Sequence, residues 1–151
     1  MTAQDSVRIY VRVSADDLDA WLAGRDVDLA DRPAQTVTQR ARLALPDDDE
    51  EELEYAAMGW AAQSTAAPGA SSARGRLVVA ALDVPGPWIR PVGGDDPDRG
   101  FEIVVEGTLP RRYLVALHVD DTSPAGADAS SAEELSWYDA GELAQVAELA
   151  R

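Results

Sequence analysis

Cysteine, lysine and asparagine are absent from this 151-residue chain, and histidine occurs once, at His118. Without cysteine the chain cannot form a disulfide, a thiolate metal site or a thiol nucleophile. Without lysine it cannot form a Schiff base with a carbonyl substrate. These absences exclude most familiar catalytic arrangements, so the sequence alone does not define an activity.

Long apolar runs are also lacking. No stretch approaches the roughly 20 apolar residues that span a bilayer, and the first residues lack the basic and apolar regions of a signal peptide. Together with the missing disulfides, this predicts a cytoplasmic protein. The length predicts one globular domain over 1–151, with mobile loops near 65–75, 86–100 and 122–130.

The charge is strongly one-sided, because 28 acidic residues stand against 13 arginines and give a net charge of −15. Such a chain repels phosphates and anionic lipids, so neither direct nucleic-acid binding nor membrane binding is expected. A protein with a basic surface would be attracted. Solubility, a halophilic host or mimicry of nucleic acid are alternative reasons for the acidity, and the oligomeric state is not predicted.

Four segments have the hydrophobic pattern of strands. Strict alternation predicts a half-buried strand at 7–13. Strongly apolar runs predict two central strands at 76–84 and 112–120, the first of them covered on both faces. A shorter strand is predicted at 101–107. The expected architecture is a mixed sheet of about four strands.

Helix starts are marked by capping residues. Ser14 with Asp17 predicts a helix near 15–23, and Thr38 favours a short helix after it. The acidic run that begins at Asp47 predicts a long helix near 48–64, with Trp60 on its buried face.

Two further capping pairs predict helices within 131–150, one begun by Ser131 with Glu134 and one by Asp139 with Glu142. The fold class is therefore α/β or α+β, with the mixed sheet packed against three or more helices. The long helix also permits a right-handed crossover between two strands.

Four segments form a distinctive set: EELEYAAM at 51–58, RLVVA leading to DVP at 76–85, VALHVDD at 115–121, and LSWYD followed by EL at 135–143. With the opening strand they resemble a family of uncharacterised actinobacterial proteins, a domain of unknown function. The resemblance covers nearly the whole chain. It implies a soluble single-domain actinobacterial protein and no particular activity.

His118 is the sharpest chemical feature. Alternate residues of a strand share a face, so His118 and Asp120 are expected to point the same way. Joined by Glu54 they would form a catalytic site, and joined by Asp83 or Glu51 a site for Mg²⁺ or Mn²⁺. The alternative is a structural histidine that bonds its own carboxylates at the strand end.

Aromatic residues provide a second candidate. Trp21, Trp60 and Trp137 lie at positions with core periodicity, whereas Trp88 lies in a loop beside Arg90. An exposed tryptophan next to an arginine is a typical contact pair for a protein partner.

Two functions therefore stay open. The first is a non-enzymatic acidic domain without a cofactor that binds a partner protein with a basic surface. The second is a small enzyme or ligand-binding domain centred on His118. Convergence of side chains from 51–54 and 83 on His118 would favour the second.

Overall fold

The computed structural model of the chain describes residues 6–29, 32–63, 77–92, 100–120 and 135–150. Within them the strands are β1 (Ser6–Val13), β2 (Val27–Asp28), β3 (Ala34–Gln35), β4 (Val78–Pro85), β5 (Ile89–Pro91), β6 (Glu102–Val105), β7 (Thr108–Leu109), β8 (Leu114–Val119) and β9 (Ser136–Asp139). The helices are α1 (Ala15–Leu22), α2 (Gln39–Ala44), α3 (Glu50–Gln63) and α4 (Leu143–Leu149).

Seven strands form one large sheet in the order β5-β6-β3-β1-β4-β8-β9, and β2 pairs with β7 in a small second sheet. The architecture is α+β. Every strand pair in the described residues is antiparallel, so the prediction of a mixed sheet of about four strands was wrong in both direction and size. Since β1 and β4 run antiparallel, α3 does not make the predicted crossover between parallel strands.

Alternate residues of the central strands face opposite sides of the large sheet. On β1, Ile9 and Val11 belong to a buried cluster that includes Trp21 of α1 and residues of α4. Tyr10, between them, belongs to a second cluster that includes Leu53 of α3. Helices thus cover both sides of the sheet, which we call the α1–α4 face and the α3 face.

The two apolar runs form β4 and β8, and both strands lie inside the sheet with a neighbour on each side. The residues of β4 from 78 to 82 are fully buried, because one face packs under α1 and α4 and the other under α3. The predictions that both strands are central and that the first run is covered on both faces are confirmed.

Two helix starts follow the predicted capping chemistry, and the start of α3 departs from it. Ser14 and Asp17 form a capping box at α1, and Arg32 holds both carboxylate oxygens of Asp17 at 2.5 and 2.7 Å. Thr38 accepts a hydrogen bond from Ala41 N and begins α2. α3 begins later than predicted, because the side chain of Asp49, rather than Asp47, accepts a hydrogen bond from Glu52 N.

The C-terminal region departs most from the sequence prediction. Residues 136–139, expected in a helix, form strand β9 beside β8. Asp139 and Glu142 do form the predicted capping box, and α4 follows it. The other predicted cap, Ser131 with Glu134, lies outside the described residues, as do the loops near 65–75 and 122–130.

The three tryptophans that were assigned to the core differ in how far they are buried. Trp21 is 0% exposed, as its position predicted. Trp60 is 37% exposed and Trp137 is 62% exposed, so their assignment to the core was wrong. Trp60 lies on the border of the buried face of α3, and Trp137 lies on β9 at the end of the sheet. Among the described residues, no helix has the length and apolar character to cross a membrane.

Candidate functional site

A cleft of about 290 Å³ opens between α3 and the β8–β9 end of the large sheet. We call it the His118 cleft. It is lined by Tyr10, Glu51, Glu54, Tyr55, Met58, His118, Leu135 and Trp137. Two carboxylates, an imidazole and three other aromatic rings thus share one small space.

Helix α3 forms one wall of the cleft. Glu51, Glu54, Tyr55 and Met58 are separated by three or four residues, the spacing that places side chains on one helix face. Glu54 lies on the side of the helix that packs on the sheet, and it is only half-buried because the cleft opens beside it. Tyr55 is 47% exposed at the mouth.

The floor of the cleft is formed by the sheet. His118 on β8 pairs with Val79 on β4 and with Trp137 on β9, so these side chains lie in one row across the α3 face. The rings of Tyr10 and His118 are 6.4 Å apart between centroids. They approach across β4 because Ala81, the partner of Tyr10, is small enough to leave the space.

An ion pair adjoins this floor. Arg8 pairs with Asp83 in the β1–β4 register, and its guanidinium contacts the two carboxylate oxygens at 2.5 and 3.2 Å. Both side chains are partly exposed, so the pair stabilises the fold by at most about 1 kcal/mol. The hydrogen bond from Arg8 to Asp83 is the main reason that the pKa of Arg8 is raised, and the charge of Glu54 adds to this increase.

Burial controls the protonation of the two floor rings. Burial, followed by the positive charge of Arg8, lowers the pKa of His118 to about 4. Burial also raises the pKa of Tyr10, and the negative charge of Glu54 adds to this increase. At neutral pH the floor therefore presents an uncharged imidazole and an uncharged phenol beneath the carboxylate of Glu54.

The sequence model of a family of unknown function matches residues 7–147, from the start of β1 into α4. The chain belongs to DUF6912. The match confirms the resemblance to a domain of unknown function, and the actinobacterial source stays a prediction. No curated protein and no solved structure matches this DUF6912 chain.

The convergence on His118 that would favour the enzyme or ligand-binding alternative occurs in part. Glu51 and Glu54 line the cleft together with the imidazole. Asp83 does not line it and acts through Arg8, whose charge reaches His118. Asp120 is 2% exposed just beyond the end of β8 and is not a lining residue.

The metal hypothesis receives no support from the described part of this DUF6912 chain. No group of three histidine, aspartate or glutamate side chains in that part is placed to hold a metal ion. The proposed ligands His118, Asp83 and Asp120 belong to different surroundings, because Asp83 is paired with Arg8 and Asp120 is buried elsewhere.

Trp88 and Arg90, the predicted partner contacts, are only partly available. The ring of Trp88 packs edge-on against Tyr113, with 5.8 Å between ring centroids, and lies over Gly107. Gly107 has a φ of 113°, so a side chain there would be strained, and its Cβ would meet the ring of Trp88 at an ordinary contact distance of 3.7 Å. Arg90 is exposed and pairs with Glu106 at 2.6 Å.

A second cavity of about 550 Å³ lies at the opposite end of the sheet. Its lining residues are Thr36, Thr38, Gln39, Arg40, Ile89, Pro91, Val92 and Ile103. The lining is mostly apolar, and the Nη2 atom of its one charged residue, Arg40, donates a hydrogen bond to Val92 O. Its lining includes Val92, the last described residue before a gap in the described ranges, so the cavity does not define a site.

Three aromatic members of the His118 cleft were not predicted as site residues. Tyr10 had a usable signal, since Arg8, Tyr10 and Arg12 alternate with apolar residues and must share a face of β1. Tyr55 lies four residues after Glu51, a spacing that indicates a common helix face. Trp137 had no such signal, because its segment was assigned to a helix.

Proposed function

We propose that this chain is a non-enzymatic binding module for a partner protein with a basic surface, and that the His118 cleft receives one cationic side chain of that partner. The observation that carries the proposal is the pairing of two carboxylates with two exposed aromatic rings in one cleft. The lack of cysteine fits a cytoplasmic partner.

The charge of the site favours a cation. Glu51 and Glu54 line the cleft, and the guanidinium of Arg8, which adjoins its floor, is held by Asp83. A cation that enters meets two carboxylates at short range, and the charge of one of them, Glu54, also acts on Arg8. The net charge of −15 extends this attraction, since it steers basic partners toward the chain and speeds their association.

The aromatic rings supply the second half of the recognition. Trp137 is 62% exposed, an uncommon position for so large a ring, and Tyr55 faces the same opening. Tryptophan and tyrosine faces attract cations through the ring quadrupole, with about 0.5–2 kcal/mol per contact. Arginine suits such a site because its planar guanidinium stacks on rings and bonds carboxylates at once.

The size of the cleft is sufficient for one side chain and does not by itself distinguish a side chain from a small ligand. Sites for drug-sized ligands and cofactors occupy roughly 300–1,000 Å³, and the cleft has about 290 Å³. One arginine or lysine side chain fits this space while its backbone stays outside.

Binding is favoured over catalysis by the state of His118. A general base works best when its pKa lies near the working pH, and burial lowers the pKa of His118 to about 4. The imidazole is therefore a weak base at neutral pH. Tyr10 is shifted in the opposite direction, which keeps its phenol protonated.

The experiment compares acetyl-arginine amide with its uncharged analogue acetyl-citrulline amide in an NMR titration of the chain. We expect the arginine compound to bind and the citrulline compound to show no saturable binding. The double variant Glu51→Gln, Glu54→Gln is expected to weaken arginine binding by about tenfold, from the loss of two partly exposed charge contacts.

Glu52→Gln is the matched control, since it makes the same change on the same helix outside the cleft. It is expected to leave the affinity unchanged. Equal binding of both compounds, or equal weakening by Glu52→Gln and by the cleft double variant, would show that general acidity rather than the cleft binds the cation.

A further inference from the structure

We infer that the partner docks as an extended segment that adds a strand to β9 and directs a basic side chain into the His118 cleft. This inference rests on the proposed function and names the form of the partner. In the described residues the order of the large sheet ends at β9, and one side chain of β9, Trp137, lines the cleft.

The two edges of the sheet differ in how well they can accept a strand. The edge strand β5 has three residues, ends in Pro91, which lacks an N–H donor, and carries the exposed pair of Arg90 with Glu106. Proline and charged side chains are the usual features that block pairing at an edge.

Strand β9 lacks those features. Its four residues, SWYD, include no proline and no basic residue. Its one charged residue, Asp139, uses its side chain to cap the helical turn that follows. The β9 edge therefore lacks proline and basic residues, and its one charged side chain, Asp139, is engaged at the start of the following helical turn.

The strand register connects this edge to the cleft. Trp137 lies directly opposite His118, and both side chains are on the α3 face. A residue of an added strand opposite Trp137 would project to that same face, with its Cβ roughly 4.5–5.5 Å from that of Trp137. From there a long basic side chain can cross the indole ring and reach Glu51 or Glu54.

The charge and the backbone edge together indicate which class of partner fits. A second copy of this chain would bring another −15 of charge to the edge and be repelled. A strand-forming segment with a basic residue flanked by β-branched residues matches both the backbone edge and the cleft. Because the basic residue must enter the cleft, it also fixes the register of the added strand.

The test uses the peptide acetyl-Thr-Val-Arg-Val-Thr-amide and two N-methylated forms. One form carries N-methyl groups on both valines, and the other carries them on the arginine and the last threonine. In an added strand only alternate N–H groups face the protein. We expect one form to lose about tenfold or more in affinity, from the loss of two hydrogen bonds, and the other to bind almost as well as the parent.

Amide hydrogen exchange shows which strand of the chain the peptide contacts. The parent peptide is expected to slow exchange in β9 and to leave β5, the other edge, unchanged. Two methylated forms that bind as well as the parent would overturn strand addition, as would loss of binding by both forms or absent protection in β9. Acetyl-arginine amide would still bind in those cases if the cleft itself functions, so the two proposals fail separately.

Discussion

Replacing Trp21 with alanine is expected to lower the free energy of unfolding by about 4 kcal/mol, the largest effect of any substitution considered. The ring is 0% exposed in the cluster on the α1–α4 face. Its Nε1 donates a hydrogen bond of 2.9 Å to Leu109 O on β7, so the indole ties α1 to the small sheet. The substitution removes the apolar contacts and leaves that carbonyl without its donor.

Trp60→Ala is the matched comparison, because it removes the same side chain from a half-covered position. With 37% of Trp60 exposed, the expected loss is about 1–2 kcal/mol. Urea unfolding of the wild-type chain and both variants measures the two values. A loss at position 60 as large as that at position 21 would mean that Trp60 belongs to the core after all.

Acidification is expected to destabilise the chain through His118. The pKa of this imidazole is about 4 in the folded chain, against about 6.5 in an unfolded one. Between about pH 6.5 and about pH 4, His118 is therefore protonated in the unfolded chain and mostly neutral in the folded chain. The stability from the neutral imidazole is complete above about pH 6.5, falls as the pH drops, and is lost near pH 4.

Between about pH 7 and about pH 5 this effect amounts to about 2 kcal/mol. The control is His118→Gln, which keeps an uncharged polar side chain and does not titrate. Other acid-sensitive groups are common to both chains, so the difference between their urea-unfolding curves isolates His118. Parallel loss of stability in the two chains would show that the imidazole is not buried in its neutral form.

The sequence predicted the elements that carry long regular patterns. The alternation at β1 and the apolar runs at β4 and β8 extend over six or more residues, which is enough to separate strand from helix. Strands β2, β3 and β7 have two residues each, so they carry no measurable period. They pair because neighbouring strands position them, and a local pattern contains no such information.

β9 was missed because local signals competed. Its serine and acidic neighbours favour a helix start, whereas adjacent tryptophan and tyrosine favour a strand. Pairing with β8 decides the outcome. The real helix start lies a few residues later, at the capping box that begins with Asp139.

The charged and titratable residues of the candidate site were named from the sequence, whereas its aromatic residues were not. Convergence of Glu51 or Glu54 on His118 was the condition set for the enzyme or ligand-binding alternative, and these three residues line one cleft. Helical periodicity could not predict the exposure of Trp60. The period of apolar residues predicts the centre of the buried face of a helix, whereas the width of that face depends on the elements packed against it. Trp137 could be assigned to the cleft only once β9 was known to pair with β8.

The most direct test of the central claim follows the four tryptophan indole N–H signals while acetyl-arginine amide is added to the ¹⁵N-labelled chain. If the His118 cleft binds the cation, the signal of Trp137 moves and saturates. The signals of Trp21, Trp60 and Trp88 stay in place, because none of these residues lines the cleft. A static Trp137 signal, or movement of Trp60 or Trp88 instead, would contradict the assignment of the site.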